Sequence, residues 1–220
     1  MRGLLVKDFK LLKQQGKIIT FLVFICIFML GQMQETSFVV GYITSICVVI
    51  SLSTISYDEF DNGNTFLFSL PITREEYVRE KYALSFLVNG GVWLLSSIAA
   101  ILVNMARVDG FILSNEIMGA ILVLAACMVL VSVMIPVQLK FGSEKSKVII
   151  FASIGIIAVA GYFTMFLLEK TSSMIDISWL LGKLMEIGKG GLTGLAVGIG
   201  VVLLVLSMRV SQNIMKKKEF

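Results

Sequence analysis

Residues 38–57 read FVVGYITSICVVISLSTISY, residues 58–81 read DEFDNGNTFLFSLPITREEYVREK, and residues 82–105 read YALSFLVNGGVWLLSSIAAILVNM. The outer two stretches hold no Asp, Glu, Lys or Arg, while the middle one holds nine. A helix needs about 20 mostly apolar residues to cross the hydrocarbon core of a bilayer. A charge at the centre of such a helix costs about 2.5–3.5 kcal/mol on insertion scales. Two membrane spans joined by a charged segment are therefore the reading of residues 38–105.

The pattern extends along the whole chain. Apolar runs cover residues 18–33, 38–57, 82–105, 117–139, 148–168 and 192–210, and of all the charged residues only Arg209 falls inside one. Of the 220 residues, 57% are apolar and 15% charged, and the mean hydropathy is +0.91. A soluble domain of this size cannot bury that much apolar surface. The expected fold is an all-α integral membrane protein of six transmembrane helices, forming one domain over residues 1–220. Residues 18–33 are followed by no small-residue cleavage site, so they read as a span and not as a leader.

Orientation follows from Lys and Arg alone. With both termini in the cytoplasm, fifteen of the 19 lie on the inner side and four on the outer. The chain is thus expected to be multi-pass in the plasma membrane with both ends inside. Net charge is +4 with a pI near 9.0, but the bases flank apolar runs. They match lipid headgroups, and no nucleic-acid partner is expected.

Composition also excludes chemistry. Histidine is absent, which removes Ser-His and Cys-His nucleophile pairs and HExxH zinc helices. Cys26, Cys47 and Cys127 each lie within an apolar run and read as small hydrophobes. Gly16-Lys17 and Gly182-Lys183 lack the rest of a phosphate-binding loop. The spans carry no acid or acid–base pair for a proton or ion relay. Neither an enzyme nor a bound cofactor or metal is expected.

Two charged segments stand out. In residues 1–16, Leu4, Leu5, Phe9 and Leu12 share one helical face, with Lys7, Lys10 and Lys13 on a basic side. This is an amphipathic helix suited to the membrane surface. In the 58–81 segment, Asp61-Asn62-Gly63-Asn64 is a turn signal, and Phe66, Leu67, Phe68 and Leu70 form an apolar knob. Pro71 precedes Thr73 and Glu76, which form a capping box, and Glu75 and Arg79 are spaced for an i,i+4 pair. The helix so capped runs into the third span. A knob at the membrane base on such a lever can receive a push from a cytoplasmic partner. Gly190, Gly194 and Gly198 recur every four residues, which allows close helix packing.

The opening residues Arg2-Gly-Leu-Leu-Val-Lys-Asp-Phe, the stretch Tyr57-Asp-Glu-Phe-Asp-Asn-Gly and Ser69-Leu-Pro-Ile-Thr-Arg-Glu-Glu-Tyr-Val resemble permease subunits of ABC type-2 exporters, in particular the small six-span permeases of Gram-positive bacteria. The six-span layout resembles that family over the whole chain, and the local motifs cover about the first 85 residues. The resemblance implies a permease paired with a second permease, as homodimer or heterodimer. It further implies two cytoplasmic ATPase subunits that carry the ATP and Mg. It makes residues 1–16 the interface helix, through Leu4, Leu5, Lys7, Phe9 and Leu12. It places the coupling helix within the segment between spans two and three, on Asp58, Glu59, Asp61, Gly63, Phe66, Phe68, Leu70, Pro71, Ile72, Thr73, Arg74, Glu75 and Glu76. Relatives of this kind imply export of amphipathic, toxic or antimicrobial peptides. The chain departs from larger members in its 169–191 segment, which offers only Trp179, Leu180, Leu181 and Leu184 where they carry re-entrant hairpins or external domains. The alternatives are a membrane immunity or scaffold protein that sequesters without transport, and an integral membrane enzyme.

Overall fold

The computed structural model describes residues 2–32, 36–60, 63–107, 112–170 and 188–218, with the side chains of 2, 143, 144, 147, 150–170, 188 and 189 left aside. Asp61, the 171–187 stretch with Trp179, Leu180, Leu181 and Leu184, and the side chains of most of the fifth apolar run lie outside the described residues. Every regular element among those described is helical: α1 Arg2–Gln14, α2 Gly16–Gln32, α3 Thr36–Glu59, α4 Gly63–Ser69, α5 Arg74–Arg107, α6 Leu113–Lys170 and α7 Gly188–Lys217. Four helical segments are long and apolar enough to cross a membrane, namely Thr36–Glu59, Arg74–Arg107, Leu113–Gly142 and Gly190–Lys217. A fifth is reached if the bent pair α1–α2 counts as one, its halves meeting at 66°.

The elements group around α3, which packs against α1, α2, α4, α5 and α6, while α6 and α7 form the other large contact. Hydrogen bonds fix two ends of the bundle. At one end, called the base here, the Arg74 guanidinium donates to the carbonyls of Met215 at 3.2 Å and Lys216 at 2.9 Å. Lys218 there reaches Glu59 at 3.2 Å and the Leu139 carbonyl at 3.1 Å. At the far end, Asn104 donates to Thr36 at 2.7 Å, Thr36 donates to Glu116 at 3.3 Å, and Arg107 donates to the carbonyls of Leu30 and Gly31 at 2.8 and 2.7 Å. Between the ends, short polar side chains tie helices pairwise, as in Gln138 to the Leu52 carbonyl and Ser56, and Tyr82 to Ser207 and Ser211. In lipid, where no water competes, such links and close packing hold helices together in place of a hydrophobic drive.

The interval 140–147, between the apolar runs 117–139 and 148–168, is helical on both sides of one break at Gly142, with φ 79° and ψ 169°. That backbone region is essentially open to glycine alone. The chain therefore turns at one residue instead of through a loop. Among the described residues nothing stands within 4 Å of a Cβ built on Gly190, Gly194 or Gly198. The tight approach of α7 to α6 is at Gly200, where a Cβ would stand 3.3 Å from Met128.

Gly142→Ala is expected to destabilise the protein by about 1–3 kcal/mol, since alanine must enter a glycine-only region. The thermal midpoint of the purified variant checks this, and an unchanged midpoint shows that the break relaxes freely.

Candidate functional site: the charged joint and the base helix

The capping box is formed as its sequence dictates. The Glu76 amide donates to Thr73 Oγ1 at 3.2 Å, and the Thr73 amide donates to Glu76 Oε2 at 3.3 Å. Glu75 and Glu76 occupy the first turn of α5, where the helix dipole favours acids. Lys216, at 2.7 Å, holds the Glu75 carboxyl below its usual range, and Arg79 stands farther off at 3.8 Å. α5 then continues unbroken to Arg107. Residues 74–81 are its base, below the apolar run that begins at Tyr82.

α4 is a single short helix between α3 and this cap. It starts where a Cβ on Gly63 would stand only 2.8 Å from the Asp58 carbonyl oxygen, so the close return of chain over the end of α3 requires glycine. Its inner side is fixed to the bundle. Leu67 is buried, Phe68 meets the Tyr77 ring edge-on at 5.6 Å, and Ile72 packs on the same core. Its outer side is apolar and open at Phe66, which is 72% exposed, and the flanking Phe60 and Leu70 are 72% and 43% exposed. The expected knob thus divides into anchors and free surface. Pro71 and Thr73 are exposed beside it, and Glu59 lies half-buried against Lys218.

Directly beneath α4 is a buried charged joint. Lys81 is 1% exposed and ion-paired to Asp8 of α1 and, at 2.7 Å, to Asp58 of α3. Lys7 also pairs with Asp58 and stands 3.2 Å from Asp8. Tyr77 donates to Asp58 at 3.1 Å, and Lys81 donates to Thr54 at 3.3 Å. Burial alone would push the Lys81 ammonium down, but Asp58, Asp8 and Glu80 outweigh it and hold it above its usual value. Burial, then the Asp58 charge, push the Tyr77 hydroxyl well up, so it remains a donor.

Glu80, fully buried, completes the joint. Burial pushes its carboxyl up to about 7, Lys81 at 3.7 Å opposes this, and Asp8 adds to it. Both Glu80 oxygens and Asp8 Oδ1 lack a conventional hydrogen-bond donor. Burial favours the protonated form of Glu80, and in that form one of its oxygens can donate to Asp8. Lys7 and Lys81 then face Asp8 and Asp58, two cations against two anions.

Sequence reasoning named Asp58 and Lys7 but missed Asp8, Tyr77, Glu80 and Lys81. Within α1 the residues packed on the bundle are Leu4, Asp8 and Leu12, and Phe9 is 47% exposed. An acid one turn from each of two buried leucines was the available signal, because it demands a buried cation nearby.

Residues 3–216 match the sequence profile of the ABC-2 family transporter proteins, so the chain belongs to that family of membrane-spanning permeases. No curated protein and no solved structure matches it. It is a multi-pass membrane protein and a transport subunit that is not itself catalytic.

Removing one partner of a buried pair costs about 3–5 kcal/mol, so Lys81→Met is expected to lose folded protein in detergent, measured by monodisperse yield. Glu80 gives a pH signature. Its carboxyl is raised from 4.5 to about 7. Between those values the folded chain binds a proton that the unfolded chain releases. Stability from this group is therefore greatest below the ordinary value and falls as pH rises to the folded one. The thermal midpoint should drop between about pH 5 and about pH 8. Glu80→Gln should flatten that drop; an equal slope in the variant contradicts the assignment.

Proposed function

We propose that this chain is the permease subunit of an ATP-driven exporter, coupled through α4 to separate cytoplasmic ATPase subunits that supply ATP and Mg. The observation that carries this reading is the division of α4. Leu67 and Phe68 fasten it to the bundle while Phe60, Phe66 and Leu70 remain open at the base. An exposed aromatic patch on a rigidly held helix is what a pushing partner engages. The charged joint links α4's neighbour α3 to α1 and α5, so force on α4 reaches the spans as displacement and not as local bending.

The direction of the helices supports six spans. α2, α3, α5, the first part of α6 and α7 alternate between base and far end, and the first part of α6 reaches the base at Leu139 while α7 also ends on the base. An odd number of crossings is needed between them, and we assign one to the helical residues 143–170. The distribution of Lys and Arg supports a cytoplasmic base and cytoplasmic termini. α1, bent 66° from α2 and basic on its outer side, fits an interface helix on the inner leaflet. α2 turns Phe21, Phe24, Ile27 and Phe28 outward, a surface for lipid or for a second permease. The apolar span surfaces favour an amphipathic, peptide-like substrate over an ion or a sugar.

Phe66→Asp with Leu70→Asp should abolish co-purification with the cognate ATPase subunit while leaving the permease monodisperse. Retained complex formation would remove α4 from the coupling role. Reporter fusions at each terminus should both report the cytoplasm; opposite sides would exclude six spans.

A further inference from the structure

Arg209 is the single charge within an apolar run, and the coupling reading gives it no role. It shares a hollow at the base with Arg79, Gln212 and Asn213. Among the described residues Arg209 has no acid within ion-pair distance, and Arg79 has only Glu75 at 3.8 Å, which Lys216 already holds at 2.7 Å. Two guanidiniums on antiparallel helices thus line one hollow with little to neutralise them.

That hollow is continuous with a second, since both are lined by Arg79, Val205 and Met208. The second is a groove of about 320 Å³ between α5, α6 and α7, walled by Phe86, Leu124, Met128 and Val131 and reaching Gly90. From Arg79 to Gly90 along α5 is about 16 Å at 1.5 Å per residue. Half of a hydrocarbon core is about 15 Å. The groove therefore has the length of one acyl chain in one leaflet, with cations at the headgroup level and apolar walls above.

We propose that Arg79 and Arg209 grip the phosphate of an anionic phospholipid whose acyl chain lies in this groove, with Gln212 and Asn213 as further headgroup donors. Guanidinium is the side chain best matched to phosphate, through paired N–H donors. The occupant is an inner-leaflet lipid if the base faces the cytoplasm, as proposed above; the site itself does not depend on that orientation. A lipid wedged between α5 and α7 would occupy the seam beside the Tyr82–Ser207–Ser211 bonds and so set how far those helices can part.

The test is native mass spectrometry of the full chain from micelles containing phosphatidylglycerol or phosphatidylcholine. The wild-type chain should keep one phosphatidylglycerol under activation that strips phosphatidylcholine. Arg79→Gln with Arg209→Gln should weaken retention roughly thirtyfold, from the loss of two basic contacts. Gly90→Leu should block the groove while leaving both guanidiniums, and nothing within 4 Å opposes a side chain there. Millimolar inorganic phosphate should not displace the lipid. Equal retention of the two lipids, unchanged occupancy in either monodisperse variant, or displacement by free phosphate would each overturn the proposal. ATPase co-purification is read separately, so failure here leaves the coupling assignment standing.

Discussion

The Lys81 ammonium, buried between Asp8 and Asp58, is the contact on which the base of this permease depends. It joins three elements distant in sequence: α1, the end of α3 and the start of α5. A buried ammonium without its carboxylates would carry a desolvation penalty of several kcal/mol. Each carboxylate would be as badly placed without the ammonium. The elements are therefore held in one arrangement by mutual need, and the aromatic packing of Phe68 on Tyr77 is laid over that joint. Such ion pairs are poor sources of net stability, but they discriminate strongly against misplacement. Here the discriminated state is one in which α1 lifts away or α4 swings free.

Much of the fold was legible because lipid imposes a coarse rule. Charges leave the hydrocarbon, so membrane-crossing helices such as Thr36–Glu59, Arg74–Arg107, Leu113–Gly142 and Gly190–Lys217 can be read from where Asp, Glu, Lys and Arg do not fall. Thr73 and Glu76 were legible for a different reason: a capping box is local, and its bonds depend on residues three apart. The continuity of α5 from that cap into the membrane followed from the same short-range logic.

What the sequence hid is long-range or steric. Leu4, Leu5, Phe9 and Leu12 drew attention as an apolar set in α1, but Asp8 is turned into the bundle beside Leu4 and Leu12, where it pairs with Lys81. Nothing within the first 16 residues encodes that partner. The break at Gly142 was hidden because one glycine among polar residues looks like any loop, whereas its positive φ lets a helix restart at once. The close approach at Gly200 was hidden too: spacing reveals a smooth face but not which neighbour fills it, and Met128 lies against Gly200.

The two kinds of charge at the base obey opposite demands, and this separates their roles. In the joint, Lys7 and Lys81 face Asp8 and Asp58, two cations against two anions, and the raised carboxyl of Glu80 adds less than a full charge near neutral pH, so the cluster's field is spent mostly within itself. Its purpose is internal. Arg79 and Arg209 are placed at the same end of the bundle but on the outer side of α5 and α7; Arg79 has only a long contact to Glu75, and Arg209 has no acid within ion-pair distance among the described residues. Unspent positive charge at the margin of an apolar groove is complementary to something outside the chain. A single end of one helical bundle thus holds a neutral lock, an open apolar patch and an uncompensated cationic cleft. Each follows from whether the fold supplies a partner for the group or leaves that to the membrane and the cytoplasm.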